Sequence, residues 1–279
     1  MRCAPRAVAI DHVVGRPQSG IVHDTTHYRI LSATLLEHAN ERGGETNVSV
    51  GWHAIEFLLW GQDLDARGPG ARPATDFVLG NEPGAERRSN YLRITTELLV
   101  AHLRTVRTAW APDAEYRRTF VADVDGAVRK MLTGAAVLSA FELCGERLAV
   151  AYETKDQEQE HSCFSDTTWA DLQANQRGIV ALLCGDDTTA AATAAAPSLL
   201  TLIRRRDADV AAHLHRSLTI TTQALHAIPQ PFDQAFLGAD DSKGRGAIRA
   251  AIEALEQQAE AIAIAGRLLG HELPMRPGR

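Results

Sequence analysis

The sequence predicts an all-α protein built as one or more helical bundles, and three observations support this fold class. Ala and Leu dominate the hydrophobic residues while aromatic residues make up only 5% of the chain, a mixture that suits helices better than strands. Several long segments repeat apolar residues with helical spacing, and none shows a convincing strand alternation. With 279 residues, 45% of them hydrophobic, the chain can bury a large core in one domain or two.

The N-terminal part of the chain begins with weak helix signals. Residues 1–19 have no clear period and are expected to form an irregular arm ahead of a helical region over residues 20–279. A first helix is predicted over residues 28–41, where apolar residues recur with helical spacing. A second is predicted over residues 47–61, because Asn47 is a good N-cap and Gly61 a good stop.

The rest of the chain is assigned by the same signals. Residues 64–84 are rich in Gly, Pro, Asp and Arg and should form a long loop, of a length that is often functional. Ser165 or Asp166 is expected to cap the helix that ends at Cys184. Residues 186–197 consist mostly of Asp, Thr and Ala and are the best candidate for a weak domain boundary. Further helices are predicted over residues 86–110, 125–152, 165–184, 198–228 and 245–269.

Charge and hydropathy exclude two classes of partner. The chain has 29 basic and 35 acidic residues, a net charge of −6, and no long basic run, so a nucleic-acid partner has little electrostatic support. No apolar run is long enough to span a bilayer. Asp11 and His12 interrupt the only N-terminal segment that could serve as a signal peptide, so no export signal is predicted.

The second predicted helix contains the first candidate site. It is apolar nearly all round except for His53 and Glu56, which lie three residues apart and therefore on one face. A buried carboxylate is costly unless it is paired, bound to metal or protonated. A bare H-x-x-E pair is more often a structural hydrogen bond than a ligand set, so this motif alone leaves both interpretations open.

A second group of residues repeats the same types. Glu158 and His161 form an E-x-x-H pair, and Glu142 and Glu146 lie one turn apart on the fourth predicted helix. Carboxylate-bridged metal sites in helical bundles combine such pairs with glutamates from facing helices, and these ligands suit iron, zinc or manganese. Together the residues predict a shared metal site. The alternatives are that residues 156–160 form a solvated acidic turn, or that the polar cluster only fixes helix packing.

Several blocks of the sequence resemble one known family. Residues 51–63, GWHAIEFLLWGQD, are similar to the G-x-H-x-x-E signature of the imelysin-like family. That family includes iron-regulated proteins and members classed as insulin-cleaving peptidases. Residues 68–73, 156–166 and 228–235 resemble further blocks of the iron-regulated subgroup. The likeness extends from about residue 20 to the C-terminal region and implies helical bundles of the imelysin type.

The resemblance also implies site residues. It places a metal-binding or ligand-binding role on one set of residues, His53, Glu56, Glu158, His161 and Asp166. The same motifs give supporting positions at Gly51, Asp63, Arg72 and Ser162.

The implied function is capture of a metal ion, iron or zinc, or of a small ligand in the bacterial periplasm or cell envelope. Its implied partners are other envelope proteins of iron uptake. Two alternatives remain: a metallopeptidase with Glu56 as general base, and a helical scaffold without catalysis. Family members usually carry an export signal and a helical region upstream of residue 20, so the chain is expected to be an N-terminally shortened member.

Overall fold

The computed structural model describes residues 7–42, 44, 47–80, 84–185 and 197–274. Within these ranges every regular element is a helix, and the only extended pairing is one isolated bridge between Val13 and Arg16. The predicted all-α fold class is therefore confirmed. None of the described helices combines the length and the hydropathy of a membrane span.

The chain forms two compact units. The first comprises Met1–Glu115 and Asp156–Thr167, and the second comprises Tyr116–Lys155 and Thr168–Arg279. The expected weak boundary at residues 186–197 lies, except for Pro197, outside the described residues.

The first unit contains four short helices and one long one among its described residues, together with two 3-10 turns at Ala74–Phe77 and Gln157–Gln159. These helices are α1 (Ala7–Ile10), α2 (Gly20–His23), α3 (Ala33–Ala39), α4 (Trp52–Trp60) and α5 (Ala85–Ala109). Helix α6 (Glu115–Ala122) belongs to the second unit except for its first residue. Tyr91 of α5 is fully buried, and its hydroxyl donates a hydrogen bond of 2.8 Å to the Ser49 carbonyl ahead of α4. The apolar core around it comprises Ile10, Ile21, Val22, Leu31, Leu36, Ala54, Phe57, Leu58, Ile94, Cys163 and Phe164.

The second unit is the larger helical assembly. Its helices after α6 are α7 (Val124–Val137), α8 (Val150–Thr154), α9 (Thr168–Cys184), α10 (Leu199–Arg206), α11 (Ala208–His226), α12 (Phe232–Leu237) and α13 (Lys243–Leu268). A π-helical segment, Leu138–Ala149, joins α7 to α8. Helices α11 and α13 pack along each other over a core of Leu and Ala side chains, with Leu214, Leu218 and Leu255 fully or almost fully buried.

The long helices were well predicted. The helix expected over residues 86–110 is α5, and the one expected over residues 245–269 is α13. The apolar segment expected over residues 125–152 is continuous from Val124 to Thr154, although its central part is π-helical.

The first predicted helix is shorter than the sequence pattern suggested. It was expected over residues 28–41 but occupies Ala33–Ala39. The hydroxyl oxygen of Ser32 accepts a hydrogen bond from the Leu35 amide, and this N-cap sets the start of the helix.

The predicted start of the second helix is wrong. It was expected at Asn47, whose side-chain amide instead donates 2.8 Å to the Arg42 carbonyl. The helix begins at Trp52, after Gly51 with φ of +88°. Ala54, Phe57 and Leu58 of this helix are fully buried, whereas Trp52 at its first turn is 67% exposed.

The helix predicted over residues 198–228 is in fact two helices. It breaks at Asp207, which has extended backbone torsions and ends α10. The Asp207 carboxylate accepts a hydrogen bond of 3.0 Å from the Val210 amide and so caps α11. A local capping interaction therefore outweighs the continuous apolar period.

Two further details differ from the prediction. Helix α12 was missed because six residues are too few for a periodic signal. Neither Ser165 nor Asp166 immediately precedes the next helix, which begins at Thr168. The Ser165 hydroxyl instead donates to the Glu56 carboxylate.

A buried polar network in the second unit links three helical segments. Gln258 of α13 donates 3.1 Å to the Ser139 hydroxyl and 3.1 Å to the Gln176 side-chain oxygen, and Gln176 donates 2.7 Å in return. All three residues are almost completely buried. Loss of the Gln258 side chain removes all three of these hydrogen bonds from the core, including the one that the Gln176 side-chain oxygen accepts.

We expect Gln258→Leu to lower the free energy of unfolding by about 1–3 kcal/mol, since it strands buried polar groups. Gln257 is exposed on the same helix, and Gln257→Leu should change stability by less than about 0.5 kcal/mol. Urea denaturation followed by circular dichroism measures both. Equal unfolding midpoints for the two variants would contradict a stabilising role for the network.

Candidate functional site

The H-x-x-E pair lies on α4 in the first unit, as the spacing predicted. The His53 Nδ1 atom is 2.9 Å from the Glu56 Oε2 atom, and the side chains are 20% and 10% exposed. An ionised carboxylate can only accept hydrogen bonds, so Nδ1 of His53 is the donor in this pair. In the neutral imidazole the lone pair is then on Nε2, the atom that can bind a metal ion.

The other oxygen of Glu56 is bound by the 156–167 segment. Glu56 Oε1 accepts from the Phe164 amide at 3.1 Å, the Ser165 amide at 2.9 Å and the Ser165 hydroxyl at 2.7 Å. Both carboxylate oxygens therefore have hydrogen-bond donors. The Phe57 and Phe164 rings, with centroids 4.8 Å apart, pack beside this contact.

His161 is brought next to His53. The two ring centroids are 5.1 Å apart, and the ring planes are nearly perpendicular at 82°. His161 follows the 3-10 turn Gln157–Gln159, which is capped by the Asp156 carboxylate through a 3.1 Å hydrogen bond from the Glu158 amide. The two sequence motifs, more than 90 residues apart, thus contribute one histidine each to the same place.

The remaining predicted residues occupy different environments. Glu158 is exposed and accepts 3.1 Å from the Gln62 side chain. Asp166 is half-buried with a left-handed backbone, φ +54°. Glu142 and Glu146 belong to the π-helical segment of the second unit, where Glu142 is 3.4 Å from the Arg147 guanidinium.

The four supporting positions of the resemblance lie before α4, after α4 and in the segment that carries His161. Gly51 precedes the helix, and Ser162 is buried in the segment that carries His161. Asp63 is buried after the helix, where its carboxylate accepts 3.0 Å from the Gln157 side chain. Arg72 lies in the following loop, and its amide donates 2.9 Å to the Trp60 carbonyl at the end of α4.

A second buried carboxylate, Asp11, was missed by the sequence analysis. It is fully buried and pairs with Arg88 and with Arg72, the latter at 3.0 Å. His12 and His23 also contact it, at 3.2 and 3.1 Å. Residues 7–14, AVAIDHVV, place one acidic residue within an apolar run, and this pattern indicates a buried carboxylate. The prediction of an irregular arm over residues 1–19 did not use this pattern.

The hydrogen-bond donors and positive charges around Asp11 together lower its pKa. Burial raises the pKa of the carboxyl, but hydrogen bonds from His12 and Arg88 and the charges of Arg72 and Arg88 outweigh it and hold the pKa far below 3.8. Burial also lowers the pKa of His23, although Asp11 opposes this shift. Asp11, His12 and His23 are close enough to share a cation, but two guanidinium groups already bind the carboxylate. This cluster is therefore a structural ion-pair network.

Known proteins resemble this chain in sequence pattern and in fold. The family model described as Imelysin (Peptidase_M75) matches residues 6–262. A crystal structure of a proposed iron-regulated protein A precursor from Parabacteroides distasonis ATCC 8503 is similar over 89% of this chain and 70% of that chain, with TM-score 0.67. At 16% identity this likeness shows the fold alone. A comparison with curated proteins finds no match.

We expect Asp11→Asn to destabilise the protein by about 3–5 kcal/mol at pH 7, because two buried guanidinium groups lose their counter-charge. Because the folded-state pKa of Asp11 lies below 3.8, the stability difference between wild type and Asp11→Asn is fully present above pH 3.8. This difference shrinks as the pH falls below 3.8. Urea unfolding at pH 7 and pH 3 measures this difference. Asp113→Asn, at an exposed aspartate, is the control. An equal stability difference between wild type and Asp11→Asn at both pH values would contradict a lowered pKa of Asp11.

Proposed function

The chain belongs to the imelysin family, and from this premise we propose that it binds a metal ion, iron or zinc, between His53 and His161. The observation that carries the proposal is the His53–Glu56 hydrogen bond beside the His161 ring. Histidines that bind metals usually donate their other ring nitrogen to a carboxylate, which fixes the ring orientation and strengthens the ligand. Glu56 fits this orienting role, because its second oxygen is anchored by Phe164 and Ser165.

The spacing of the two rings supports a shared ion. A Zn–N bond of about 2 Å puts each imidazole centroid about 3 Å from the ion, so two imidazoles at a tetrahedral angle have centroids about 5 Å apart. The rings of His53 and His161 are 5.1 Å apart. The separation of the ring centroids therefore matches the value expected for two histidines that share one ion.

The ligand set favours binding over catalysis. Within the described part of the chain, no third His, Cys or carboxylate forms a set of three ligand atoms within 4.8 Å with this pair. A catalytic zinc takes three protein ligands, whereas a two-histidine site leaves several positions to water or to a small chelating ligand. The peptidase alternative also needs Glu56 as general base, but both of its oxygens accept hydrogen bonds.

The biological setting is proposed on the same basis. The name of the P. distasonis protein refers to iron regulation, and we assign to this chain a role in iron acquisition at the bacterial envelope, with other envelope proteins as partners. Glu142, Glu146, Glu158 and Asp166 stay predictions as further contributors to the site.

We expect His53→Ala to weaken metal binding strongly and Glu56→Gln to weaken it by about tenfold or more, the usual effect of losing a group that orients a ligand. Isothermal titration with Zn²⁺, and with Fe²⁺ under anaerobic conditions, measures both affinities. His27→Ala is the matched control, because His27 is an exposed histidine of the same unit that also lies three residues from its carboxylate partner, Asp24.

The same variants separate the competing functions. If wild type and both variants bind metal equally, the cluster is a packing device and the proposal is wrong. If wild type cleaves a protein substrate, and Glu56→Gln keeps its metal but loses this cleavage, the peptidase alternative is correct.

A further inference from the structure

Helix α2 packs against the start of α5 through apolar side chains, an arginine and a histidine. Ile21 and Val22 of α2 are almost completely buried in the core of the first unit. Arg87 of α5 donates hydrogen bonds to the Ile21 carbonyl at 3.0 Å and the Val22 carbonyl at 2.7 Å. His23, the last residue of α2, lies 3.1 Å from the buried Asp11 carboxylate, and its side chain is 10% exposed. A largely buried histidine therefore lies at the contact between the two helices.

The geometry around His23 favours its neutral form. Its Nε2 atom faces Asp11, and an ionised carboxylate only accepts hydrogen bonds, so Nε2 carries the proton and Nδ1 has the lone pair. The ring lies against the start of α5, because a Cβ atom at the N-cap residue Gly84 would be 2.9 Å from its Cε1 atom and 3.4 Å from Nδ1. A lone pair suits the positive end of a helix, whereas a second N–H group, added by protonation, does not.

Most of the charged groups around His23 also oppose its protonation. Asp11 attracts a proton to the ring, but Arg88 and Arg72 already pair with this carboxylate. A protonated His23 would therefore add a positive charge beside two guanidinium groups. The His12 side chain contacts the same carboxylate at 3.2 Å, and its ring centroid is 5.8 Å from that of His23. Burial, together with the charge of Arg88, outweighs the attraction of Asp11 and lowers the pKa of His23.

We propose that the contact between α2 and α5 is an acid-sensitive switch, in which protonation of His23 loosens residues 7–28 from α5 while the rest of the first unit stays folded. Helices α1 and α2 should loosen together, because a Cβ atom at Gly20 would overlap the backbone at Ile10 and Asp11, so α2 starts directly on the end of α1.

The other charged groups at α2 do not supply this pH dependence. Arg87 stays charged throughout the neutral and mildly acidic range, so its hydrogen bonds to α2 persist. Asp24, the residue after His23, pairs with the exposed His27 at 2.9 Å. The residues of the proposed metal site take no part in the contact, so the switch does not depend on metal binding.

Acid should weaken the docked state of α2. In a loosened segment His23 binds a proton with a pKa of about 6.5, whereas the docked histidine has a lower pKa. The docked state is therefore fully stabilised above pH 6.5 and loses this stabilisation as the pH falls below 6.5. Between pH 7.5 and pH 5.5 the opening constant should rise by about two- to tenfold, and tenfold is the limit for a docked histidine that stays neutral at pH 5.5.

Hydrogen exchange of single amides, followed by NMR on the full chain, measures this opening. The Asp24 amide donates 3.0 Å to the Gly20 carbonyl and reports on α2, while the Gly61 amide donates 2.8 Å to the Phe57 carbonyl and reports on α4. Protection factors remove the intrinsic pH dependence of exchange. We expect the Asp24 protection factor to fall by about two- to tenfold from pH 7.5 to pH 5.5, and the Gly61 factor to fall less.

Two variants assign the effect to one side chain. His23→Gln keeps a side-chain N–H group for Asp11 but cannot take up a proton, so the fall at Asp24 should disappear. His38→Gln is the matched control, because His38 is an exposed histidine of α3 in the same unit, and this variant should respond like wild type.

Three results would overturn the proposal. The Asp24 protection factor of wild type could be the same at both pH values, or the Asp24 and Gly61 factors could fall equally, which would mean that the whole unit responds to acid. The third result is a folded His23→Gln variant with the same fall as wild type. The first two results come from wild type alone and need no variant.

Discussion

The hydrogen bonding of one buried carboxylate, Glu56, organises the first unit. A charge in a nearly all-apolar helix must be satisfied by donors, and here they come from residues more than 100 positions later in the chain. The amides of Phe164 and Ser165 can reach Glu56 only if the 156–167 segment lies against α4. This constraint brings His161 beside His53, so the same interaction that satisfies the buried charge also assembles the candidate metal site.

Backbone contacts at the end of α4 complete the arrangement. The Gly70 amide donates to the Phe164 carbonyl, and the Arg72 amide donates to the Trp60 carbonyl. A Cβ atom at Gly70 would lie 2.6 Å from the Trp60 oxygen, so only glycine permits this approach. The loop rich in Gly and Pro is thus held against the helix, and it carries the Arg72 guanidinium to the buried Asp11 carboxylate.

The sequence predicted the long elements and the two histidines because these have strong, repeated signals. Helices α5 and α13 extend for seven turns each, and the motifs around His53 and Glu158 repeat the same residue types. Helix starts were less predictable where one side chain decides them, as at Asp207. The partners of Glu56 could not be predicted, because two of its three Oε1 donors are backbone amides and any residue type supplies an amide.

The two buried carboxylates of the first unit differ in their partners, and this difference is why we propose a metal site beside Glu56 and not beside Asp11. Asp11 faces two guanidinium groups, so its charge is neutralised where a cation would have to bind. Glu56 accepts from neutral donors on one oxygen, and its negative charge remains directed at Nδ1 of His53 through the other. A carboxylate in this position stabilises the positive charge that an imidazole gains when it binds a metal ion. The difference therefore lies in the charge of the partners, which neither burial nor residue type alone reveals.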